Sequence, residues 1–376
     1  MVTEASQGVP QGYKPKLRFK NGVPDIHGPN LPEDQYLFTS IPHIPSDSPS
    51  IASKDGWTSA MLQVATQAKI PSTPGFPSPM ARPPDVRHRI GPTSNMGLGV
   101  FSTARLQMGD LILSDRPLIV VPLHMYGSGD YPKNLTQKQT QQAVLADAEL
   151  YLQFVLDRLD PENRKAYMAL ANSHLKDGSG PILGIMRTNG MGIDALIRPG
   201  NPPMPYSAVC KEISRLNHSC CPNTGAGFNM ASFSYRLWAL CDIAPGEELT
   251  LSYTDVTAPA AERQKALEPY GFQCTCRACQ DPRTSDARRS TIFNEKLFLT
   301  PALLKTWTDE GLQASRIYDN RVMSLWHYHV YRGDADNALV CGQLLTKLWR
   351  WSNSDAEKYT DLALIRSHPM WMKLYG

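Results

Sequence analysis

The sequence predicts an α+β protein: a β-rich core interrupted by helices and followed by more of them. Three observations carry this expectation. Residues 97–122, 235–240 and 248–253 have strand-like character, the first of them alternating apolar and polar side chains at the period of a half-buried strand. Between them, Thr136 to Leu159 places Val144, Leu145, Leu150, Leu152, Val155 and Leu156 at helical spacing. After residue 290 the apolar residues again fall on helical faces, among them Trp326, Tyr328, Leu339, Leu344, Leu345, Leu348 and Trp349.

Taken in order, residues 1–90 read as a Pro-rich irregular arm. Segments such as IPHIPSDSPS and IPSTPGFPSPMARPP cannot sustain a helix or a central strand, because proline lacks the N–H that both ladders need. One stretch, Asp55 to Lys69, is competent to form a helix. The arm is either free or wrapped against a folded domain. The basic run Lys14 to Lys20 fits a nuclear import signal or plain solvated charges. The core is expected over 91–256, with Gly109-Asp110 and Pro245-Gly246 as turns. A helical insert at about 131–180 interrupts it. Within the insert, Asp160-Pro161-Glu162 reads as a new helix start: N-cap, proline at the first position, acid in the first turn. Residues 286–376 form a helical C-terminal region. There, RGDADNALVCGQLLTKLW resembles one helix pair of a tetratricopeptide-like array and fits an ordinary bundle equally.

Composition excludes several classes. With 38 Lys and Arg against 35 Asp and Glu, the net charge of +3 argues no nucleic-acid partner. No apolar run approaches the roughly 20 residues of a membrane span. The opening residues lack the basic and apolar regions of a signal peptide. The expectation is therefore an intracellular protein of the nucleus, the cytoplasm or both, monomeric and off the membrane. All eight cysteines lie at or after Cys210, and Cys274, Cys276 and Cys279 fall within six positions. That clustering suits reduced thiols holding a metal better than a disulfide framework.

Three clusters carry chemistry: RLNHSCCPNTG from Arg215, GEELTLSYTD from Gly246, and RQKALEPYGFQCTCRACQ from Arg263. Cys-x-Cys-x-x-Cys supplies three thiolates, and a closed structural zinc site prefers four ligands. Cys220 and Cys221 are the nearest candidates for the fourth, and His218 is a further candidate ligand. Free thiols are the alternative. No Ser-His-Asp or phosphate-loop pattern supports hydrolysis or phosphoryl transfer.

In their order and spacing these clusters resemble a SET-domain protein-lysine methyltransferase, most closely the SET-and-MYND branch and related fungal SET-domain proteins. The matching residues are Gly97-Leu98-Gly99-Val100-Phe101, Arg187-Thr188-Asn189, Asn217-His218-Ser219-Cys220, Gly246-Glu247-Glu248-Leu249, Tyr253, Tyr270-Gly271-Phe272 and the three clustered cysteines. They span roughly residues 91–280. The resemblance implies a SET domain over 91–256, with the helical insert inside it, and a post-SET zinc segment over 257–285.

The resemblance also implies roles. Gly97, Leu98, Gly99, Asn189, Asn217 and His218 would bind S-adenosyl-L-methionine, and Phe272 would stack on its adenine. Tyr253 would be the catalytic tyrosine, with Tyr270 a wall of the substrate-lysine channel. Cys220, Cys274, Cys276 and Cys279 would hold a structural Zn²⁺, leaving Cys221 without a role. The partner would be a lysine of a histone or non-histone protein. The MYND finger is absent, since no cysteine precedes Cys210, and so are pre-SET cysteines. A catalytically silent SET-fold scaffold acting through its C-terminal helices is the alternative. Tyr253, Asn217 and His218 are all present, which favours the enzyme.

Overall fold

A computed structural model describes residues 9–16, 35–42, 55–123, 131–197, 205–294, 300–349, 356–368 and 373. Strands and helices follow the chain as β1 (Tyr36–Ile41), β2 (Thr58–Gln63), α1 (Val64–Lys69), β3 (His88–Pro92), β4 (Leu98–Ser102), β5 (Leu111–Asp115) and β6 (Ile119–Pro122). Next come α2 (Gln137–Asp157), α3 (Pro161–Met168), α4 (Pro181–Asn189), β7 (Met191–Gly192), β8 (Tyr206–Val209), β9 (Asn217–His218), β10 (Thr224–Asn229), β11 (Ser234–Ala239) and β12 (Glu248–Leu251). The rest is helical: α5 (Ala260–Leu267), α6 (Arg277–Gln280), α7 (Pro282–Ser290), α8 (Pro301–Asp309), α9 (Arg316–Tyr331), α10 (Ala335–Trp349) and α11 (Leu362–Ser367). The α+β class is thus observed. Contacts divide the chain into two units. Unit one holds 1–81, 115–215 and 228–235; unit two holds 82–114, 216–227 and 236–376.

In unit one a five-stranded sheet runs β1–β2–β6–β8–β7. The helical insert packs on it: Tyr151, Leu152, Val155 and Leu156 of α2 share a core with Phe38, Met61, Ile119, Val121 and Val209. The N-terminus of α2 is fixed by a capping box, in which the Thr136 hydroxyl accepts from Gln139 N and the Gln139 side chain accepts from Thr136 N. Asp160 caps α3 as its sequence implies, accepting from Asn163 N at 2.9 Å. Two readings of the arm need correction. Its residues 36–41 and 58–63 are strands, paired antiparallel from Tyr36↔Gln63 to Ile41↔Thr58. The helix expected over Asp55–Lys69 survives only as α1. All six residues of β2 are buried between β1 and β6, and burial on both faces erases the alternation that marks a strand. The end of the Lys14–Lys20 run and residues 43–50 lie outside the described residues.

In unit two a four-stranded sheet runs β3–β4–β12–β9. β3 and β4 form a hairpin, β4 pairs antiparallel with β12, and β12 pairs parallel with β9. Gly109-Asp110 is a turn, but β4 and β5 do not pair with each other. Instead Gly109 N donates to Ala239 O, and Ala239 N donates to Asp110 O. The C-terminal helices bury Trp307, Tyr318, Val322, Trp326, Leu345 and Leu348 with Trp238, Leu240 and Val256. Among the described residues no helix is long and apolar enough to cross a membrane.

Replacing Thr136 by Ala removes one half of the capping box and should cost about 1 kcal/mol of stability. Urea unfolding should show a lower midpoint with an unchanged slope.

Candidate active site

Gly97 and Gly99 sit at the tip of the β3–β4 hairpin, and each has a physical reason. Gly97 has φ +72°, a left-handed conformation that side-chain-bearing residues rarely adopt. It closes a turn in which Thr93 N donates to Gly97 O at 2.8 Å and Met96 N donates to the Thr93 hydroxyl at 2.9 Å. At Gly99 a Cβ would lie 2.6 Å from Glu248 Oε1 and 2.7 Å from Thr93 Cγ2, so the backbone approaches β12 as closely as glycine allows. The Asn217 amide nitrogen spans the same gap, donating to Glu248 Oε1 at 2.8 Å and to Leu98 O at 3.2 Å. The hairpin tip and the start of β9 are thereby joined.

His218 is buried, and both ring nitrogens are engaged. Nδ1 accepts from Tyr253 N at 2.9 Å, so the proton of the neutral ring sits on Nε2, 3.3 Å from Cys220 Sγ. Burial pushes its pKa down to about 4, which keeps the ring neutral at physiological pH. Tyr253 donates its hydroxyl to Leu216 O at 2.5 Å. Its ring lies 4.8 Å from Tyr270 and 5.4 Å from His218. Burial raises the Tyr253 phenol well above its ordinary pKa, with the neighbouring Tyr270 adding to the effect. The phenol therefore stays protonated as a donor.

Phe272 lies 6.0 Å from His218 and 6.4 Å from Tyr270. Gly271, at φ +74°, turns the chain back between the two aromatics. Tyr253, Tyr270 and Phe272 are each half-buried, packed against Cys220, Leu267, Cys274 and Ala278 in one cluster.

The four cysteines meet as expected: the sulfurs of Cys220, Cys274, Cys276 and Cys279 lie within 4.8 Å of one another. Cys220 Sγ is 3.5 Å from Cys279 Sγ and 3.9 Å from Cys274 Sγ. Tetrahedral zinc with Zn–S bonds of about 2.3 Å requires sulfurs about 3.8 Å apart. Cys279 N and Gln280 N both donate to Cys276 O, a tight turn that brings the last two thiols together. Four sulfurs packed this closely repel one another once ionised unless a cation lies among them. A divalent metal lets all four ionise, so the residues fit one. His218 points its proton-bearing nitrogen at Cys220 Sγ and is not a member of the four-ligand set.

Asn189 belongs to unit one, at the end of α4. Its amide nitrogen donates to Ala171 O and Ile185 O, both at 2.7 Å. The other expected site residues all belong to unit two.

Several residues escaped the sequence reading. Gln264 of α5 donates to Phe272 O at 3.2 Å and accepts from Cys274 N at 3.1 Å, fastening an aromatic to a thiol ligand. Arg289 of α7 is buried and donates to Cys220 O at 3.1 Å, Cys221 Sγ at 3.2 Å and Val256 O. It pairs with the equally buried Glu310 at 3.3 Å. The next residue, Gly311, lies against Cys221, whose Cα would be 2.6 Å from an added Cβ. Cys221 thus belongs to the support behind the cluster. Gln264 stands in a cluster the sequence reading did single out; nothing in the local pattern marks Arg289 or Glu310.

Comparison with known proteins agrees with this geometry. Residues 97–254 match the SET domain model. The chain is 26% identical over 302 residues to histone-lysine N-methyltransferase set5 of Schizosaccharomyces pombe, covering 75% of this chain and 84% of that protein. Shorter matches include human histone-lysine N-methyltransferase SMYD3, 46% identical over 69 residues, 18% of this chain and 16% of SMYD3. Mouse N-lysine methyltransferase SMYD2 is 33% identical over 96 residues, 25% of this chain and 21% of SMYD2. Residues 97–254 thus match the SET domain, and the chain resembles SET-domain methyltransferases. Within that class it resembles the fungal SET5 and the SMYD proteins, and the domain and relatives together support protein-lysine N-methyltransferase activity.

Gly99→Ala should lower the thermal unfolding midpoint, because Glu248 and Thr93 must move to admit the methyl group. Gly192→Ala is the control: a Cβ there meets nothing within 4 Å, and its midpoint should stay within about 1 °C.

Proposed function

We propose that this protein transfers a methyl group from S-adenosyl-L-methionine to the side-chain amine of a lysine in a protein substrate, histone or non-histone. The observation that carries the reading is the aromatic wall of Tyr253, Tyr270 and Phe272, packed against the neutral ring of His218. The hairpin tip fits a cofactor that needs close backbone approach, since Gly97 has open space where a side chain would stand and Gly99 admits none. The residues assigned to hold it are Gly97, Leu98, Gly99, Asn189, Asn217, His218 and Phe272. When bound, S-adenosyl-L-methionine supplies an electrophilic methyl group on a sulfonium.

The protein's task is then to present a neutral amine in line with that group. A free lysine, with a pKa near ~10.4, is protonated at neutral pH and has no lone pair to offer. Enclosure against the aromatic wall, away from water, would disfavour the charged form. The Tyr253 hydroxyl, locked to Leu216 O, fixes the ring that orients the amine. Alignment of this kind is worth more than acid–base assistance when the attacking atom is already neutral. Zn²⁺ on Cys220, Cys274, Cys276 and Cys279 is assigned a structural part. It would tie the end of β9 to the segment that bears Phe272. On this reading residues 91–256 are the SET domain, 257–285 the zinc segment and 286–376 a helical region. The setting is intracellular, nuclear or cytoplasmic, where thiols remain reduced. The protein acts as a monomer with no nucleic-acid partner.

Incubation with methyl-labelled S-adenosyl-L-methionine and a whole-cell protein extract tests the activity, and absence of label on lysine defeats it. Tyr253→Phe should cut kcat by about 10²-fold or more while cofactor affinity changes little, because it frees the ring assigned to orient the amine and removes the phenol oxygen beside it. Equal turnover would remove Tyr253 from the mechanism. Elemental analysis should find one zinc per chain, and Cys276→Ser should lose it. A chelator should also weaken cofactor binding by titration calorimetry, since Phe272 lies two residues from Cys274 and Asn217 three from Cys220.

A further inference from the structure

Three arginines surround the thiol cluster, and their partners differ. Arg289 is answered by Glu310, two backbone carbonyls near the cluster and Cys221 Sγ. Arg277 is exposed and has Cys221, Asp309 and Glu310 as electrostatic partners. Arg263 of α5 is different. It is only 1% exposed, yet only Nη1 is hydrogen-bonded, to Ala258 O, with Asp286 Oδ1 at 3.4 Å. Its Nε and Nη2 are buried with no hydrogen-bond partner. A buried guanidinium rarely leaves donors unanswered, because each forfeits the hydration it had in the unfolded chain.

α5 is aimed at the cluster through more than this residue. Leu267, one turn on, packs with Cys220, Cys274 and Ala278, and Gln264 bonds Cys274 N. The Arg263 side chain reaches Cys220, with Cys279 and Asp286 as its other charged neighbours, so the guanidinium stands against two of the four thiols. Neutral thiols are weak acceptors, whereas metal-bound thiolates are strong ones. Four thiolates on a divalent cation leave two negative charges in a buried site, and a cation beside them offsets one of the two.

We infer that Arg263 is the outer-sphere cation of the Cys220–Cys274–Cys276–Cys279 centre, its free Nε–H and Nη2–H groups serving the Cys220 and Cys279 thiolates when metal is bound. This rests on the metal reading above. Arg263 is a positioning residue: it touches neither the reacting atoms nor the cofactor, and acts by setting how firmly the thiolates hold their metal.

The test is zinc affinity of the full chain at fixed pH, measured by competition with a chromophoric chelator. Arg263→Met keeps bulk and removes charge, and should weaken zinc binding at least about tenfold. Arg263→Lys keeps the charge and should recover most of the affinity, which a purely packing role would not do. Asp286→Asn, at a partly exposed carboxylate, removes the competing anion and should leave zinc binding equal or tighter. It also covers the case in which Arg263→Met fails to fold. Zinc bound equally by wild type and Arg263→Met overturns this inference alone. So does Arg263→Lys as weak as Arg263→Met, or Asp286→Asn weaker than wild type. A wild-type chain that takes up no zinc overturns the metal reading and this inference with it.

Discussion

The position of Cys220 is the constraint on which the rest of the site depends. Its sulfur meets Cys274 and Cys279, fixing the segment after α5, and lies against the Nε2 of His218. His218 in turn accepts the backbone N–H of Tyr253, so one chain of contacts runs from the thiol cluster to the phenol. On the other side of β12, Asn217 reaches Glu248 and the carbonyl of Leu98. A displacement at Cys220 therefore reaches the glycine hairpin and the aromatic wall together. Two residues of β9, paired parallel to Thr250 and Leu251, are too short to hold this register by ladder bonds alone. The side-chain bonds on both flanks complete it.

Protonation states follow from the same packing. The imidazole is locked as a neutral tautomer because each nitrogen has a single suitable partner, a backbone donor on one side and a sulfur on the other. The phenol is kept neutral by burial and by a carbonyl that can only accept. Glu248 is the acid that acts on the Tyr253 phenol, adding to burial in holding its proton.

Much of this was legible in the sequence. Asp160 announces a helix start because capping is local chemistry, read within four residues. The thiol cluster is legible because metal ligands keep a spacing. β1 and β2 were not, since their pairing is set by partners elsewhere in the chain and burial on both faces gives them no period. Arg289 and Glu310 were hidden for a related reason. Each is an ordinary charged residue in an ordinary helical segment, and only the fold buries it.

The helices after the thiol segment are part of the support of the site. Arg289 carries a full charge at 1% exposure, and Glu310 is the carboxylate that makes this tolerable. The pair cannot be treated as a net stabiliser, since burying two charges costs roughly what their attraction returns. What it provides is direction. One guanidinium nitrogen donates to the carbonyl of Cys220, while Ser285 bridges the arginine and the glutamate through its hydroxyl. Gly311 then lets the chain pass against Cys221 without a side chain between them. The carbonyl of Cys220 is therefore held from α7, its partner Glu310 following α8, and its sulfur from the thiol segment. Both ends of the residue that sets the site are fixed by elements that follow the matched SET domain in the chain.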